Sequence, residues 1–381
     1  MKTVYFDNAA TTQIREEVIA SMVEVMNGSY GNPSSSHSFG RSSKSLVESC
    51  RKSIASFFNV SASEIIFTSG GTEADNLVLR SAVRDLGVKH IVTSKIEHHA
   101  VLHTLDQLEK EHPLKISFVK VDDRGTIDYE QLESLLKGEQ KILVSLMHVN
   151  NEIGNLIDIE RVANLCKANN VLFHTDAVQA IGHYQLDLQK VSVDFLAASA
   201  HKFHGPKGVG FAFIRKNTGL KPLIFGGEQE RGLRAGTESV HNIVGIASAL
   251  KIAYNNLEKE TTYIKGLKQY FIENLSKAIP QVKFNGLSAN MEKSTYTLVN
   301  ICLPVDPKKT TLLLFQLDLK GIACSKGSAC QSGSSQGSHV LAEILNDEDL
   351  EKPSIRFSFS IYNTKEEIDY VVEVLKDLLE T

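Results

Sequence analysis

One thiol stands where thiols are seldom placed. Cys330 lies in Cys324-Ser-Lys-Gly-Ser-Ala-Cys-Gln-Ser-Gly-Ser-Ser-Gln-Gly-Ser338, the most Ser/Gly-dense stretch of the chain. That composition disfavours regular structure and favours a solvated loop, whereas cysteine is ordinarily a small buried hydrophobe. Such a thiol is expected to react, and to move between two places in doing so. A free thiol with pKa ~8.5 is only about 3% ionised at pH 7, so a neighbouring cation would help. Lys326 is close in sequence but reads equally well as a solvated loop charge. Cys324 is either incidental or a redox relay, and its C-x5-C spacing to Cys330 is not a usual zinc pairing.

Four further groups follow short apolar runs. Thr68-Ser-Gly-Gly-Thr-Glu73 joins a strand-like run to a helix-like one; glycines Gly70 and Gly71 admit an anion to the backbone, the new helix offers unpaired N–H groups, and Thr72 adds a hydroxyl. An ordinary N-cap explains it equally well. His174-Thr-Asp-Ala-Val-Gln179 puts Asp176 at the end of an apolar run, where a buried carboxylate needs a partner such as a protonated heteroaromatic nitrogen, unless it merely caps the next helix. Ser199-Ala-His-Lys-Phe-His-Gly-Pro-Lys-Gly208 holds Lys202 directly after a run, before a Gly-Pro turn. A buried lysine of lowered pKa forms Schiff bases, although a solvated loop lysine is the plainer reading. Ser199 and His201 offer donors suited to phosphate. In Glu97-His-His-Ala-Val-Leu-His103, His98 provides a flat ring for a heterocycle; His99 and His103 have i,i+4 spacing, but no third metal ligand accompanies them. Together, a phosphate cup, a strand-end carboxylate and a Schiff-base lysine describe a pyridoxal phosphate site.

The elements that must position these groups alternate. Strands are expected at Glu64–Thr68, His90–Thr93, Ile116–Val121, Ile142–His148, Val171–Thr175, Phe195–Ser199 and Gly210–Ile214, with helices such as Glu73–Arg84, Asp128–Lys137 and Ile159–Asn169 between them. This alternation predicts an α/β fold with a mostly parallel sheet covered on both faces, whose ligands gather at the carboxyl ends of the strands. A long helix is expected from around Thr237 toward Leu257, followed by shorter mixed elements. Thr364-Lys-Glu-Glu367 reads as a capping box for a last helix with Ile368, Val371, Val372, Leu375 and Leu379 on one face. A large domain is expected over 14–257, with a smaller α+β domain from 1–13 and 258–381 that carries the cysteine loop at about 323–338.

The 381 residues are 42% hydrophobic and 23% charged, ordinary for a globular protein. A net charge of −4 gives no reason to expect nucleic acid or an anionic membrane as partner. Five scattered cysteines imply no disulfide framework and suit a reducing compartment. The start of the chain has no apolar signal core, and no run approaches the ~18 apolar residues of a membrane span, so a cytoplasmic location is expected.

With these residues in view, the chain resembles the cysteine desulfurases of the class V branch of fold-type I (aspartate aminotransferase-like) pyridoxal phosphate enzymes. The resemblance runs nearly end to end, through Tyr5-Phe-Asp-Asn-Ala-Ala-Thr-Thr12, Gly31-Asn-Pro-Ser-Ser-Ser-His37, Thr68–Glu73, Asn150-Asn-Glu-Ile-Gly154, His174–Gln179, His201-Lys202, Gly205-Pro-Lys-Gly208, Arg234-Ala-Gly-Thr237, Gly327-Ser-Ala-Cys330 and Ser354-Ile-Arg-Phe-Ser358. The Gly-Ser-Ala-Cys loop is similar to that of the long-loop members of iron–sulfur and nitrogenase assembly.

The resemblance implies a role for each matching residue. Lys202 would hold pyridoxal 5'-phosphate as a Schiff base, Asp176 would pair with its pyridine nitrogen, Gln179 would bond its phenolic oxygen, and His98 would stack on its ring. Gly71, Thr72, Ser199 and His201 would cradle the phosphate, and Thr237 would reach the phosphate of the neighbouring subunit of a homodimer. Asn151 and Arg356 would hold the substrate carboxylate. L-cysteine would take the place of Lys202, which then serves as a base, and the Cys330 thiolate, helped by His98 as the loop folds inward, would take the sulfur as a persulfide and release alanine. Sulfur-acceptor proteins such as an iron–sulfur scaffold, or a thiolation pathway, would follow. A selenocysteine lyase, a class V aminotransferase and a non-catalytic sulfur-delivery scaffold are the alternatives. The chain departs from the pattern at Ile157, Glu228, Ser360 and Asn363, and lacks the usual proline near Ser338.

Overall fold

The computed structural model describes residues 3–138, 140–305, 310–327 and 337–380, and Cys330 lies outside them. In chain order the strands are β1 Val4–Tyr5, β2 Ile65–Thr68, β3 His90–Ser94, β4 Lys115–Val119, β5 Ile142–Ser145, β6 Leu172–Asp176, β7 Phe195–Ser199, β8 Gly210–Ile214, β9 Lys283–Phe284, β10 Leu298–Cys302, β11 Ile322–Ala323 and β12 Ser354–Ser358. The helices are α1 Glu16–Gly28, α2 Ser38–Phe57, α3 Gly71–Asp85, α4 His99–Glu111, α5 Tyr129–Leu135, α6 Ile159–Ala168, α7 Val240–Asn255, α8 Leu257–Ala278, α9 Thr310–Leu319, α10 His339–Ile344, α11 Asp347–Glu351 and α12 Lys365–Glu380.

The central sheet has seven strands in the order β2-β8-β7-β6-β5-β3-β4. Neighbours from β7 to β4 pair parallel, and β8 alone runs against its two neighbours. This is the mostly parallel α/β sheet that the alternation predicted. Its inner strands are buried on both faces, which is why they read as unbroken apolar runs. Ile66 and Phe195 face one side with Leu77 and Val78 of α3. Phe67 and Leu196 face the other with Ile54 of α2 and Ile246 of α7. In β7 the small residues Ala197 and Ala198 let helices pack close on both sides.

A second apolar core joins Val4 and Phe6 to Ile264, Phe271, Val299, Phe357, Ile368 and Leu375. It covers an antiparallel sheet of three strands, β12-β10-β9, beside the parallel pair β1-β11. The capping box at the start of α12 forms: Glu367 N donates to Thr364 Oγ1 at 3.3 Å, and Thr364 N donates to Glu367 Oε2 at 3.1 Å.

Two expectations shift. The helix expected from Thr237 starts at Val240, and a break at Asn256 separates it from α8. The 22 residues of α8 precede the shorter elements. Its surface is heavily charged, and Ile264, Leu267, Phe271 and Leu275, spaced at helical intervals, face the core, with Lys268 buried beside them on Ser294 and Thr295. The strand expected to run to His148 ends at Ser145 as a regular ladder, although Leu146 N and His148 N still donate to His174 O and Asp176 O.

Candidate active site

Of the expected site residues that the structure describes, all but Thr237 line one cavity of about 180 Å³ at the carboxyl ends of the central strands. β2 leads into Gly71 and Thr72, β6 ends on Asp176 with Gln179 just after it, and β7 ends on Ser199 ahead of His201 and Lys202. The loop after β5 supplies Asn151, the start of α4 supplies His98 as its cap, and β12 contributes Arg356 from the smaller sheet. A Cβ on Gly71 would come within 2.5 Å of Val178 Cγ2, so the glycine is what lets α3 begin against this wall and point its first N–H groups at the cavity.

Lys202 Nζ donates to Ala9 O at 2.6 Å and Ala10 O at 2.9 Å, and Gln179 Nε2 also donates to Ala9 O at 2.9 Å. The N-terminal segment therefore holds both groups by its carbonyls. Asp176 Oδ1 accepts from Val178 N at 2.9 Å. Burial pushes the Asp176 carboxyl up to about 6, against the pull of the Val178 N–H and of Lys202. Burial also lowers His98 and His201 to about 4, with Lys202 adding to the effect in both, so the two rings are neutral at pH 7. Arg356, 1% exposed, donates through one terminal nitrogen to Asn151 O at 2.7 Å and through the other to Asp7 Oδ1 at 2.9 Å, and its buried Nε has no partner among the described residues.

Residues 4–371 match the aminotransferase class-V family. The cysteine desulfurase IscS of Dictyoglomus turgidum is 42% identical over 381 residues, covering 100% of this chain and 95% of its own length. The chain belongs to the cysteine desulfurases of that family. The cysteine desulfurase IscS of Methanosarcina thermophila is 41% identical over 382 residues, covering 100% of the chain and 92% of its own. Among solved structures, a NifS-like protein superposes with TM-score 0.90 at 36% identity, over 100% of both chains. The apo cysteine desulfurase of Thermococcus onnurineus NA1 superposes with TM-score 0.85 at 27% identity, over 99% of this chain and 95% of that one.

Cysteine desulfurases of this family work with pyridoxal phosphate, and the cavity fits that group. Its floor carries a buried carboxylate of raised pKa, which a protonated ring nitrogen would stabilise. Its rim carries a helix N-terminus, the hydroxyls of Thr72 and Ser199, and a buried His201 Nδ1 that has no partner among the described residues, a donor set for a phosphate.

Sequence reasoning missed three carboxylates in this desulfurase. Asp7 pairs with Arg356 and accepts from Ser325 Oγ at 2.7 Å; it stands inside Tyr5–Thr12, whose only signal was the match itself. Asp75 lines the cavity, held well above the usual carboxylate range by burial and then by Asp176 and Glu97. Glu97, fully buried, is pushed up to about 8, mainly by burial. Nothing local separates Asp75 from a solvated residue in a helix's first turns, nor Glu97 from a loop charge.

Thr237 is exposed, off the cavity wall. The His99 and His103 rings stack at 4.5 Å, and His99 lies 4.3 Å from the His339 ring. Among the described residues, no group of three or more His, Cys, Asp or Glu is placed to hold a metal ion, and no helix is long and apolar enough to cross a membrane. Cys50, Cys166 and Cys302 are buried free thiols, and burial pushes the half-buried Cys324 up to about 12.

Proposed function

We propose that this enzyme takes the sulfur of L-cysteine onto Cys330 as a persulfide and releases L-alanine. The observation that carries the reading is the meeting of Lys202, Asp176 and Arg356 on one cavity, in a chain whose full-length relatives are cysteine desulfurases. When bound, pyridoxal phosphate supplies an electrophilic carbon for an amine and a ring that takes up an electron pair. Lys202 Nζ would hold that group and, once free, would carry protons at the substrate α-carbon. Asp176 keeps a proton on the ring nitrogen, Gln179 bonds the phenolic oxygen and His98 covers the ring face. Gly71, Thr72, Ser199 and His201 hold the phosphate. Asn151 and Arg356 take the substrate carboxylate, Arg356 through N–H groups not committed to Asp7 and Asn151.

The Cys330 thiolate attacks the substrate sulfur. The S–S bond forms as the Cβ–S bond breaks, that bond's electron pair stays with carbon, and proton uptake gives alanine. Cysteine and one thiol become alanine and one persulfide, with no outside oxidant or reductant. Burial raises the Cys324 thiol to about 12, which disfavours its thiolate. The enzyme acts as a cytoplasmic homodimer, each exposed Thr237 serving the phosphate of the other subunit, and passes sulfur to acceptor proteins such as an iron–sulfur scaffold. The separate apolar cores support a large domain over 14–257 and a small one from 1–13 and 258–381.

Cys330→Ala tests the reading. The variant should load cofactor and show the spectral change that L-cysteine induces, yet release almost no alanine. Normal turnover by Cys330→Ala would sink the assignment of the thiol.

A further inference from the structure

We infer that Glu152 is a positioning residue: one buried carboxylate holds the far end of the segment that carries Cys330 and stands against its near end. The inference rests on the reading of Cys330 as the sulfur-accepting thiol. Glu152 belongs to Asn150–Gly154 and is 0% exposed. Its backbone is held on two sides. Its N–H donates to Asn150 Oδ1 at 2.9 Å, and its carbonyl accepts from Asn300 Nδ2 of β10 at 2.9 Å. Its side chain reaches the far end of the cysteine segment, where Oε2 accepts from Ser338 Oγ at 2.5 Å. The near end arrives at the same oxygen: a Cβ built on Gly327 would sit 3.1 Å from Glu152 Oε2 and 3.4 Å from Ser338 Cβ. Residues 327 and 338 thus both lie beside a single carboxylate, Ser338 bonded to it and Gly327 next to it.

Each end is also registered to a cavity wall. On the near side, Ser325 exchanges backbone hydrogen bonds with Arg356 at 2.7 and 3.3 Å, and Ser325 Oγ donates to Asp7. On the far side, His339 Nε2 lies 2.8 Å from the carbonyl oxygen of Glu97, the residue before His98. Glu152 itself follows Asn151, whose carbonyl accepts from Arg356. Cys330 is three positions after Gly327, and an extended chain of that length spans at most about 11 Å. Where Gly327 sits therefore limits where the thiol can go. Glu152 does not line the cofactor cavity; it would act through the anchor, on the sulfur-transfer step rather than on substrate binding.

The test is a double-mutant cycle on the full-length enzyme loaded with cofactor, using Glu152→Gln, Ser338→Ala and the pair, with Cys330→Ala run alongside. Three quantities are read: the L-cysteine concentration that half-saturates the spectral change, the single-turnover rate of alanine release, and the rate at which iodoacetamide alkylates residue 330. The expected result is alanine release slowed roughly tenfold in each single variant, and by little more in the double, with half-saturation held within about twofold and an altered alkylation rate. Release within about twofold of the parent in both single variants overturns the inference. So does a loss of the spectral change in proportion to release, which marks general damage to the site. If Glu152→Gln folds poorly, Ser338→Ala against Ser338→Thr, which keeps a hydroxyl, decides alone: restored release supports the anchor, and equal loss in both overturns it. Full turnover by Cys330→Ala would instead refute the underlying reading, whatever the Glu152 variants do.

Discussion

The cofactor wall and the root of the cysteine segment are built on opposite plans. At the wall, Lys202, Asp176, Ser199 and Thr72 come from the ends of neighbouring strands of one buried sheet, and each is set by the ladder beneath it. At the root, the described residues are tied by separate contacts: the Ser325–Arg356 backbone pair, Asp7, the Glu152–Ser338 contact and His339 against Glu97 O. A wall made of strand ends gives fixed geometry, as catalytic groups require. A root held by separate side chains and single bonds gives each contact a graded share of the positioning. Substitutions at the wall should therefore abolish chemistry outright, and those at the root should grade it.

The largest expected effect is at the wall. Lys202→Ala should slow alanine release by about 10³-fold or more, and borohydride should no longer fix the cofactor to the chain. A reducible link retained on another lysine would break the comparison. Next come Arg356 and Asp7, which join wall to root. Arg356→Ala should raise the KM for L-cysteine roughly 10- to 100-fold, as the loss of charge-assisted hydrogen bonds of about 1.5–3 kcal/mol implies. Asp7→Ala frees the guanidinium but also releases Ser325 Oγ. It should raise KM less, by about threefold to tenfold, and lower kcat as well. A pure KM effect in steady-state kinetics would place Asp7 with the wall alone.

The carboxylates under the wall give a pH signature. Glu97 is raised from 4.5 to about 8, chiefly by burial. The folded chain keeps this proton where the unfolded chain, above about pH 4.5, has lost it. Stability is then lost as pH rises toward 8, by up to about 1.4 kcal/mol per pH unit. Thermal unfolding of the cofactor-free protein from pH 6 to pH 8 should show a falling melting temperature, and Glu97→Gln should flatten that slope. An unchanged slope would remove Glu97 from the account.

The wall was legible in the sequence and the root was not, for a physical reason. Lys202, Asp176 and Thr72 follow apolar runs, and a strand's burial is written in consecutive residues. The exact strand ends and the seven-strand order required the structure, because they depend on pairing between distant segments. Asn363, noticed only as a departure from the family pattern, accepts from Asn8 Nδ2 at 3.1 Å and donates to Tyr5 O at 3.0 Å, pinning the arm that holds Lys202. Glu152 was read as part of a motif without a role, since its partners Gly327 and Ser338 are far away in the chain.

The smallest effect should come from Gly327→Ala, and it separates anchoring from folding most cleanly. Gly327 is not among the glycines with positive φ, so alanine meets no backbone strain there. Replacing glycine at a compatible position restricts the unfolded chain and stabilises by about 0.4–1 kcal/mol. The new methyl would nevertheless press on Glu152 Oε2 at 3.1 Å, and the contact must open by a few tenths of an ångström. The melting temperature should hold or rise slightly while single-turnover alanine release slows by about twofold to fivefold, with cofactor affinity unchanged. Release that keeps pace with the parent would mean that the near end of the segment tolerates displacement, leaving Ser338 as the only end that Glu152 sets.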